Sequence, residues 1–205
     1  MTFIEGIASF ISPCVLPMLP IYISYFAGKD EDKKNIYRAI SVFRTYESHV
    51  MQVRPWLPKE IGRVTYVALG MADLSVYLPY YEGLDGFIKG YSDGSYDADD
   101  TSIYWVYRKL QTLVMTDYEK YSPVVKEAYA KFEKELAVKQ AKFEDEYVKL
   151  YKKDKKKADK LLNEFSKKTM QEAKDLTQEL TNKVFTMLTA DMDAKLKSLN
   201  KGKKD

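Results

Sequence analysis

Hydrophobic and polar residues are distributed differently in three successive parts of the chain. Residues 3–27, FIEGIASFISPCVLPMLPIYISYFA, are apolar apart from one charged side chain, Glu5. A run of this length is typical of a membrane span of about 20 residues. Three prolines would interrupt it as a helix in water. The pattern predicts one apolar, membrane-type helix over residues 1–28 and a polar linker over residues 29–35.

The second part has the composition of short β-strands. The runs SHVMQV, RVTYVAL and LSVYLPYY are rich in Val, Tyr and Thr and are bounded by Pro, Gly and Asp, as strands are. Partial alternation in RVTYVAL predicts a strand that is buried on at least one face. Residues 82–100 are rich in Gly, Asp and Ser, which predicts a loop.

The third part has helical periodicity. Hydrophobic residues recur at three- and four-residue steps in two series: Val125, Tyr129, Phe132, Leu136, Phe143, Tyr147 and Leu150, then Leu162, Phe165, Thr169, Ala173, Leu176, Leu180, Val184 and Met187. This spacing predicts two long amphipathic helices over residues 121–199, joined by the basic turn KKDKKK. We expect an α+β fold in which these helices pack antiparallel on each other and on an antiparallel sheet.

Composition narrows the class of protein. The chain has 205 residues, of which 45% are hydrophobic and 31% charged. This fits a soluble globular domain with an appendage. Lys and Arg number 33 against 30 Asp and Glu, a balance that gives no support to a nucleic-acid partner. The late basic runs are typical of a solvated turn and a frayed end.

Cysteine and histidine each occur once, as Cys14 and His49. An internal disulfide and a zinc site of several thiolates are therefore excluded, as is a His-rich metal site. A Ser-His-Asp site could use only His49. We predict no metal and no cofactor.

The segment ISPCVLPMLPIYISYFAGK resembles the first membrane helix of the CcdA/DsbD family, whose members pass electrons across the membrane in cytochrome c biogenesis. The resemblance covers about residues 3–30. In that family the cysteine that matches Cys14 works with a second cysteine in a later helix. Thiol–disulfide exchange needs that partner, so we predict that Cys14 is not redox-active here.

A larger resemblance covers residues 36–205. It is carried by YRAISVFRTYESHVMQVRPWLP, GRVTYVALGMADLSVYLPYYEGL and YDADDTSIYWVYRKLQTLV, in that order. These segments resemble the cysteine dipeptidases of the dipeptidase A type, which are N-terminal-nucleophile hydrolases. The resemblance implies a four-layer αββα sandwich and metal-free hydrolysis of dipeptides. It also implies that the thiolate of an N-terminal cysteine attacks the peptide carbonyl while its own amino group acts as base.

The nucleophile of that family has no counterpart in this sequence, because Cys14 lies in an apolar run between a proline and a valine. An apolar setting raises the pKa of a thiol and lowers its reactivity. We therefore expect a truncated or chimeric dipeptidase with a partial sandwich and little activity by itself, in a membrane-associated or extracytoplasmic bacterial setting. The alternatives are a CcdA-type redox protein and a non-catalytic module whose helical hairpin binds a partner.

Arg44, Glu47 and His49 form a polar cluster where the chain enters the first strand. Period-two spacing places Glu47 and His49 on one face. Since a dipeptide carries both terminal charges, these residues are substrate-binding candidates, with Arg44 for the carboxylate and Glu47 for the amino group. The alternative is a buried polar network that holds the strand to the sheet.

Other conspicuous residues have structural interpretations. We expect the tyrosines around Pro79 to pack in the core and the aspartates of the loop to form a solvated turn without calcium. Trp56 and Trp105 are expected to anchor the core. The residues concerned are Tyr77, Tyr80 and Tyr81, and Asp93, Asp97, Asp99 and Asp100.

Overall fold

The computed structural model describes residues 41–201, with the side chains of 41–199. The chain divides into two compact units, Met1–Thr45 and Tyr46–Asp205. The strands and helices of the described residues belong to the second unit. The predicted apolar segment lies outside the described residues. Within 41–201, no helix combines the length and the hydrophobicity needed to cross a membrane.

Three strands form an antiparallel sheet in the order β1-β2-β3. They are β1 (Glu47–Val53), β2 (Arg63–Leu69) and β3 (Leu78–Tyr81). The β1–β2 register places Glu47 opposite Leu69 and Val53 opposite Arg63. The predicted sheet is confirmed. The third strand is shorter than its β-type run, because a 3-10 turn at Ala72–Leu74 precedes it.

Four helices accompany the sheet: α1 (Lys59–Gly62), α2 (Ile103–Val114), α3 (Tyr118–Tyr151) and α4 (Lys155–Lys201). The two long helices and their basic turn are confirmed. Helix α3 begins upstream of Pro123, at Asp117, whose side chain accepts a hydrogen bond from the Lys120 amide at 3.2 Å. This cap satisfies one of the free amides of the first turn.

Helix α2 was missed by the sequence analysis. The turn that leads into it is closed by Asp99, whose Oδ1 accepts hydrogen bonds from the amides of Thr101 and Ser102, both at 2.6 Å. The Ile103 amide donates to the carbonyl of Gly90 at 2.9 Å. Residues 82–100 form the predicted loop, and these bonds turn its end into the first turn of α2.

Helices α3 and α4 form an antiparallel hairpin. The hydroxyl of Tyr147 donates to Asp159 at 2.9 Å, close to the turn. Farther along, Tyr129 contacts Thr177 through their hydroxyls at 3.0 Å, and Tyr121 donates to Asp191 at 2.5 Å. Residues later in α4 therefore contact residues earlier in α3, so the two helices run antiparallel for most of their length.

The core has two parts. The larger one joins α2, α3 and α4 to the residues around the 3-10 turn and includes Leu74, Leu110 and Val125, all fully buried. The smaller one joins α1 and the sheet to the hairpin near its turn. It contains Phe143, whose ring stacks on Phe165 at 4.2 Å between centroids.

Two expectations about tryptophan are wrong. Trp56 is 75% exposed and lies in a turn between β1 and α1, in which the next residue, Leu57, packs against the smaller core instead. Trp105 is only half-buried, and its indole N–H donates to the carbonyl of Ser95 at 3.0 Å. This bond fastens the Asp-rich loop to α2 and adds nothing to the core.

Candidate functional site

One face of β1 presents a strip of accessible side chains. Glu47, His49, Met51 and Val53 alternate with residues that point to the opposite face. Met51 is 71% exposed and Val53 66% exposed. The strip therefore carries an acid and an imidazole at one end and two apolar side chains at the other.

Glu47 and His49 contact each other on this strip. The distance from Glu47 Oε1 to His49 Nδ1 is 3.0 Å, and their side chains are 50% and 48% exposed. The sequence predicted that they share a face, and the structure confirms it. The alternative of a buried network fails for this pair, because both side chains are half open to solvent.

Arg44 lies in the first compact unit, Met1–Thr45. It is exposed, in a turn that is closed by two local bonds. The Thr45 amide donates to the carbonyl of Val42 at 2.8 Å, and the Val42 amide donates to Thr45 Oγ1 at 3.1 Å. The guanidinium therefore projects from a hydrogen-bonded turn.

The outer edge of β1 has no second strand partner among residues 41–201. Among the described strands, β1 pairs with β2 alone, so its outer edge carries backbone groups without a strand partner. Such an edge can bind an extended peptide by strand addition. The charged end of the strip and the open edge belong to the same seven residues.

A second polar cluster anchors the end of β1 and was not predicted. Arg54 directly follows β1 and donates to both carboxylate oxygens of Glu144 in α3, at 2.6 and 2.9 Å. Its Nη2 also donates to the carbonyl of Ile61 at 2.7 Å. The two side chains are only 12% and 15% exposed. Bidentate geometry and burial make this a strong tie between the sheet and the hairpin.

The other side chains of this cluster are the phenols of Tyr66 and Tyr81 and the amide of Gln140. Tyr81 donates to Glu144 Oε1 at 2.6 Å, while Gln140 Nε2 lies 2.8 Å from the hydroxyls of both Tyr66 and Tyr81. Burial and the neighbouring Glu144 carboxylate raise the pKa of Tyr81 far above its usual range. The phenol stays protonated and serves as a donor, so the cluster positions β2 and β3 against α3.

Glu133 in α3 supports the opposite end of β1 indirectly. Its Oε1 accepts a hydrogen bond from the Tyr77 amide at 2.9 Å, and the Tyr77 hydroxyl lies 2.9 Å from Ser48 Oγ. Burial raises the pKa of Glu133, although the Tyr77 amide opposes that rise. Ser48 lies between Glu47 and His49 in β1, so this chain of contacts holds the charged end of the strip.

The predicted core packing holds for Tyr80 and Tyr81, whereas Tyr77 is half-buried and its hydroxyl lies 2.9 Å from Ser48 Oγ. Tyr81 is 3% exposed, and Tyr80 packs against the larger core. The aspartates of the loop are largely exposed, and Asp99 closes the turn before α2. Within residues 41–201, no three His, Cys, Asp or Glu side chains are arranged to hold a metal ion.

A groove of about 820 Å³ lies beside the hairpin turn. Its charges are already compensated, since Lys155 bridges Glu60 and Asp159 at 2.8 Å each and Lys167 pairs with Asp85 at 2.7 Å. Burial is the largest single influence on Glu60 and opposes its charged form, but the hydrogen bond and charge of Lys155 together with a backbone hydrogen bond outweigh burial and lower the pKa of Glu60. The ion pairs in this groove join α4 to α1 and to the loop that follows β3.

Comparison with known proteins connects the strip to a family. The family model described as Peptidase family C69 matches residues 21–131, which include Arg44 and all of β1. A probable dipeptidase of Salmonella dublin is 59% identical over 58 residues, which are 28% of this chain and 13% of that protein. The probable dipeptidase B of Lactococcus lactis subsp. lactis (strain IL1403) is 26% identical over 85 residues, 42% of this chain and 18% of that protein.

A third relative, dipeptidase A of Lactobacillus helveticus, is 32% identical over 60 residues, 29% of this chain and 13% of that protein. The chain therefore spans less than a fifth of the length of these relatives. The resemblance of residues 3–30 to the CcdA/DsbD family lies outside the described residues and stays a prediction.

Proposed function

Because the chain belongs to peptidase family C69, we propose that it forms part of the substrate-binding side of an enzyme that hydrolyses dipeptides. The observation that carries this proposal is the half-exposed Glu47–His49 pair at the end of β1, which has no second strand partner among residues 41–201. The three-stranded sheet and its helices would then be one portion of an αββα sandwich, as the resemblance implies.

The chemistry of the strip suits a dipeptide. Glu47 offers a carboxylate to the substrate's ammonium group, and charge-assisted hydrogen bonds of this kind are short and strong. Met51 and Val53 offer apolar surface for the substrate's side chains, and the backbone edge of β1 offers donors and acceptors for its peptide group. Arg44 stays a predicted ligand for the substrate's carboxylate.

We assign His49 a positioning role. Its ring nitrogen lies 3.0 Å from one oxygen of Glu47, which fixes the orientation of the carboxylate. The proposed reaction does not need an imidazole base. In it, a cysteine thiolate attacks the carbonyl carbon of the dipeptide, and the C–N bond breaks as the leaving amine takes a proton. Water then releases the acid from the thioester and restores the thiol.

The nucleophile in this proposal lies outside the described residues, because residues 41–201 contain no cysteine. We propose that the 205-residue chain alone binds dipeptides but hydrolyses them slowly or not at all. Binding and turnover therefore test two separate parts of the proposal.

The experiment titrates the 205-residue chain with alanyl-leucine and with N-acetyl-alanyl-leucine, using isothermal calorimetry or NMR line broadening. We expect saturable binding of the free dipeptide and at least fivefold weaker binding of the acetylated one, because acetylation removes the charge that Glu47 would bind. Glu47→Gln should bring the two affinities together. The matched control is Glu82→Gln, which removes another exposed glutamate that pairs with a cation, Arg63, at 3.0 Å.

Two results would count against the proposal. If the free and the acetylated dipeptide bind equally, and Glu47→Gln changes neither affinity, the strip is not the site that binds the ammonium group of the substrate. Rapid hydrolysis of alanyl-leucine that a thiol-blocking reagent abolishes would place the nucleophile within this chain and overturn the predicted inactivity.

A further inference from the structure

The last part of α4 carries an apolar stripe outside the matched family region. Phe185, Leu188, Met192, Leu196 and Leu199 follow one another at steps of three, four, four and three residues. At about 100° per residue, all five fall within an arc of about 80° on one side of the helix. Four of them are more than half exposed, between 56% and 58%, while Leu188 is half-buried with one side packed against the larger core.

The stripe begins beside the hairpin at Phe185 and continues past Asp191, where α4 leaves its partners. The hydroxyl of Tyr121 and the ammonium of Lys120 both contact Asp191 at 2.5 Å, close to the first residue of α3. After Asp191, every residue as far as Leu199 is exposed. The helix therefore extends beyond the hairpin with one apolar face uncovered.

The uncovered area is large for a monomer. Four side chains that are each more than half exposed present roughly 400 Å² of surface, within the range of the largest apolar patches on soluble proteins, which are often interaction sites. Two such stripes together would bury roughly 800 Å² before flanking side chains are counted, near the lower limit of about 1,000 Å² for a specific interface.

The order of residues in the stripe points to its occupant. Phe185 and Leu199 lie seven residues on either side of Met192, and Leu188 and Leu196 lie four residues on either side. A twofold axis at Met192 would therefore place Phe185 against Leu199 and Leu188 against Leu196 of a second, antiparallel copy. Such self-complementarity is what an isologous interface requires.

We propose that residues 185–199 are a self-association surface through which two copies of this chain pair antiparallel about Met192. The interface is independent of the strip on β1 and of the proposed dipeptide binding. Its length of about 21 Å corresponds to roughly four helical turns, and helices packed at 8–10 Å would interdigitate the leucines.

Site-directed disulfides test the register in the full chain with Cys14→Ser as background. A disulfide needs Cα atoms within about 7 Å. We expect Met192→Cys to form a disulfide-linked dimer on oxidation. We also expect a mixture of Leu188→Cys and Leu196→Cys chains to form the crossed pair far more than either self-pair, whose Cα atoms would be about 12 Å apart along the axis. Lys197→Cys, on the opposite side of the helix, is the control and should stay unlinked.

Sedimentation velocity gives the independent readout. The unmodified chain should sediment as a dimer, and Met192→Lys as a monomer with unchanged helical circular dichroism, because Met192 is exposed in the single chain. A monomer at all concentrations, or equal yields of crossed and self-paired disulfides, would overturn the proposal. Binding of the monomer to phosphatidylglycerol–phosphatidylcholine vesicles, abolished by Met192→Lys, would assign the stripe to a lipid surface instead.

Discussion

Arg54 donates two hydrogen bonds to the carboxylate of Glu144, which lies 90 residues later in the chain. The contact fixes the end of β1 against the last third of α3, near the hairpin turn. It also leaves Arg54 Nε buried without a hydrogen-bond partner. The position of the candidate strip thus depends on an ion pair whose two charges are almost fully removed from water.

The first prediction concerns this pair. Glu144→Gln should lower the free energy of unfolding by about 2–4 kcal/mol, because it leaves a guanidinium buried without its counter-charge. Urea titration followed by circular dichroism measures the loss. The double variant Arg54→Met/Glu144→Leu should lose less unfolding free energy than the sum of the losses in Arg54→Met alone and Glu144→Leu alone, since it removes both charges. An additive result would show that the pair is not coupled.

The second prediction concerns Glu133 and pH. Since burial raises its pKa above the ordinary 4.5, its contribution to stability is full below pH 4.5 and is lost as pH rises through the folded-state pKa. Glu133→Gln removes this loss and keeps an oxygen for the Tyr77 amide. It should therefore increase stability at pH 7 by up to about 1 kcal/mol, and the gain should vanish near pH 4.

Thermal melts between pH 4 and pH 8 test this prediction. Glu135→Gln, which changes an exposed glutamate of the same helix, is the control and should leave the pH profile of Tm unchanged. A Glu133→Gln variant less stable than the parent at pH 7 would contradict the prediction.

The third prediction concerns Gly90. Its φ is +97°, and an added Cβ would lie 2.0 Å from the carbonyl oxygen of Thr101. Gly90→Ala should cost about 2 kcal/mol or more, because both the backbone conformation and the close approach require glycine. Gly86→Ala is the matched control, since nothing lies within 4 Å of its added Cβ, and it should change stability by less than about 0.5 kcal/mol. Denaturant midpoints of both variants decide the comparison.

The fourth prediction concerns the two tryptophans. With Trp105→Phe, the remaining Trp56 should emit like free tryptophan and be quenched efficiently by acrylamide, because it is 75% exposed. With Trp56→Phe, the half-buried Trp105 should be quenched less. Trp56→Phe should also change the unfolding free energy by less than about 0.5 kcal/mol. Equal quenching of the two variants would contradict the exposed position of Trp56.

Local pattern explains which elements could be predicted from sequence. The hairpin was predictable because the helical period runs through α3 and α4 with no internal glycine and with Pro123 near the start. Helix α2 was missed although Ile103, Val106, Leu110 and Val114 recur at helical spacing. The predicted loop ended at residue 100, and no element was assigned to the segment after it, where Asp99 closes the turn that leads into the helix.

The candidate site was only partly predictable for a related reason. Period two placed Glu47 and His49 on one face, and they are in contact there. The tie from Arg54 to Glu144 could not be predicted, because no local pattern links residues that only the packing of a helix on a sheet brings together. Trp56 was assigned to the core because large aromatic side chains are usually buried, whereas it lies in an exposed turn.

The polar ties along the hairpin also constrain how its length can change in evolution. Tyr147 with Asp159, Tyr129 with Thr177 and Tyr121 with Asp191 join the helices at separate levels. Deleting one residue from the middle of α3 would rotate everything beyond it by about 100° relative to α4. Related chains should therefore vary here by substitution, or by matched insertions of about seven residues in both helices, which restore the phase to within about 20°.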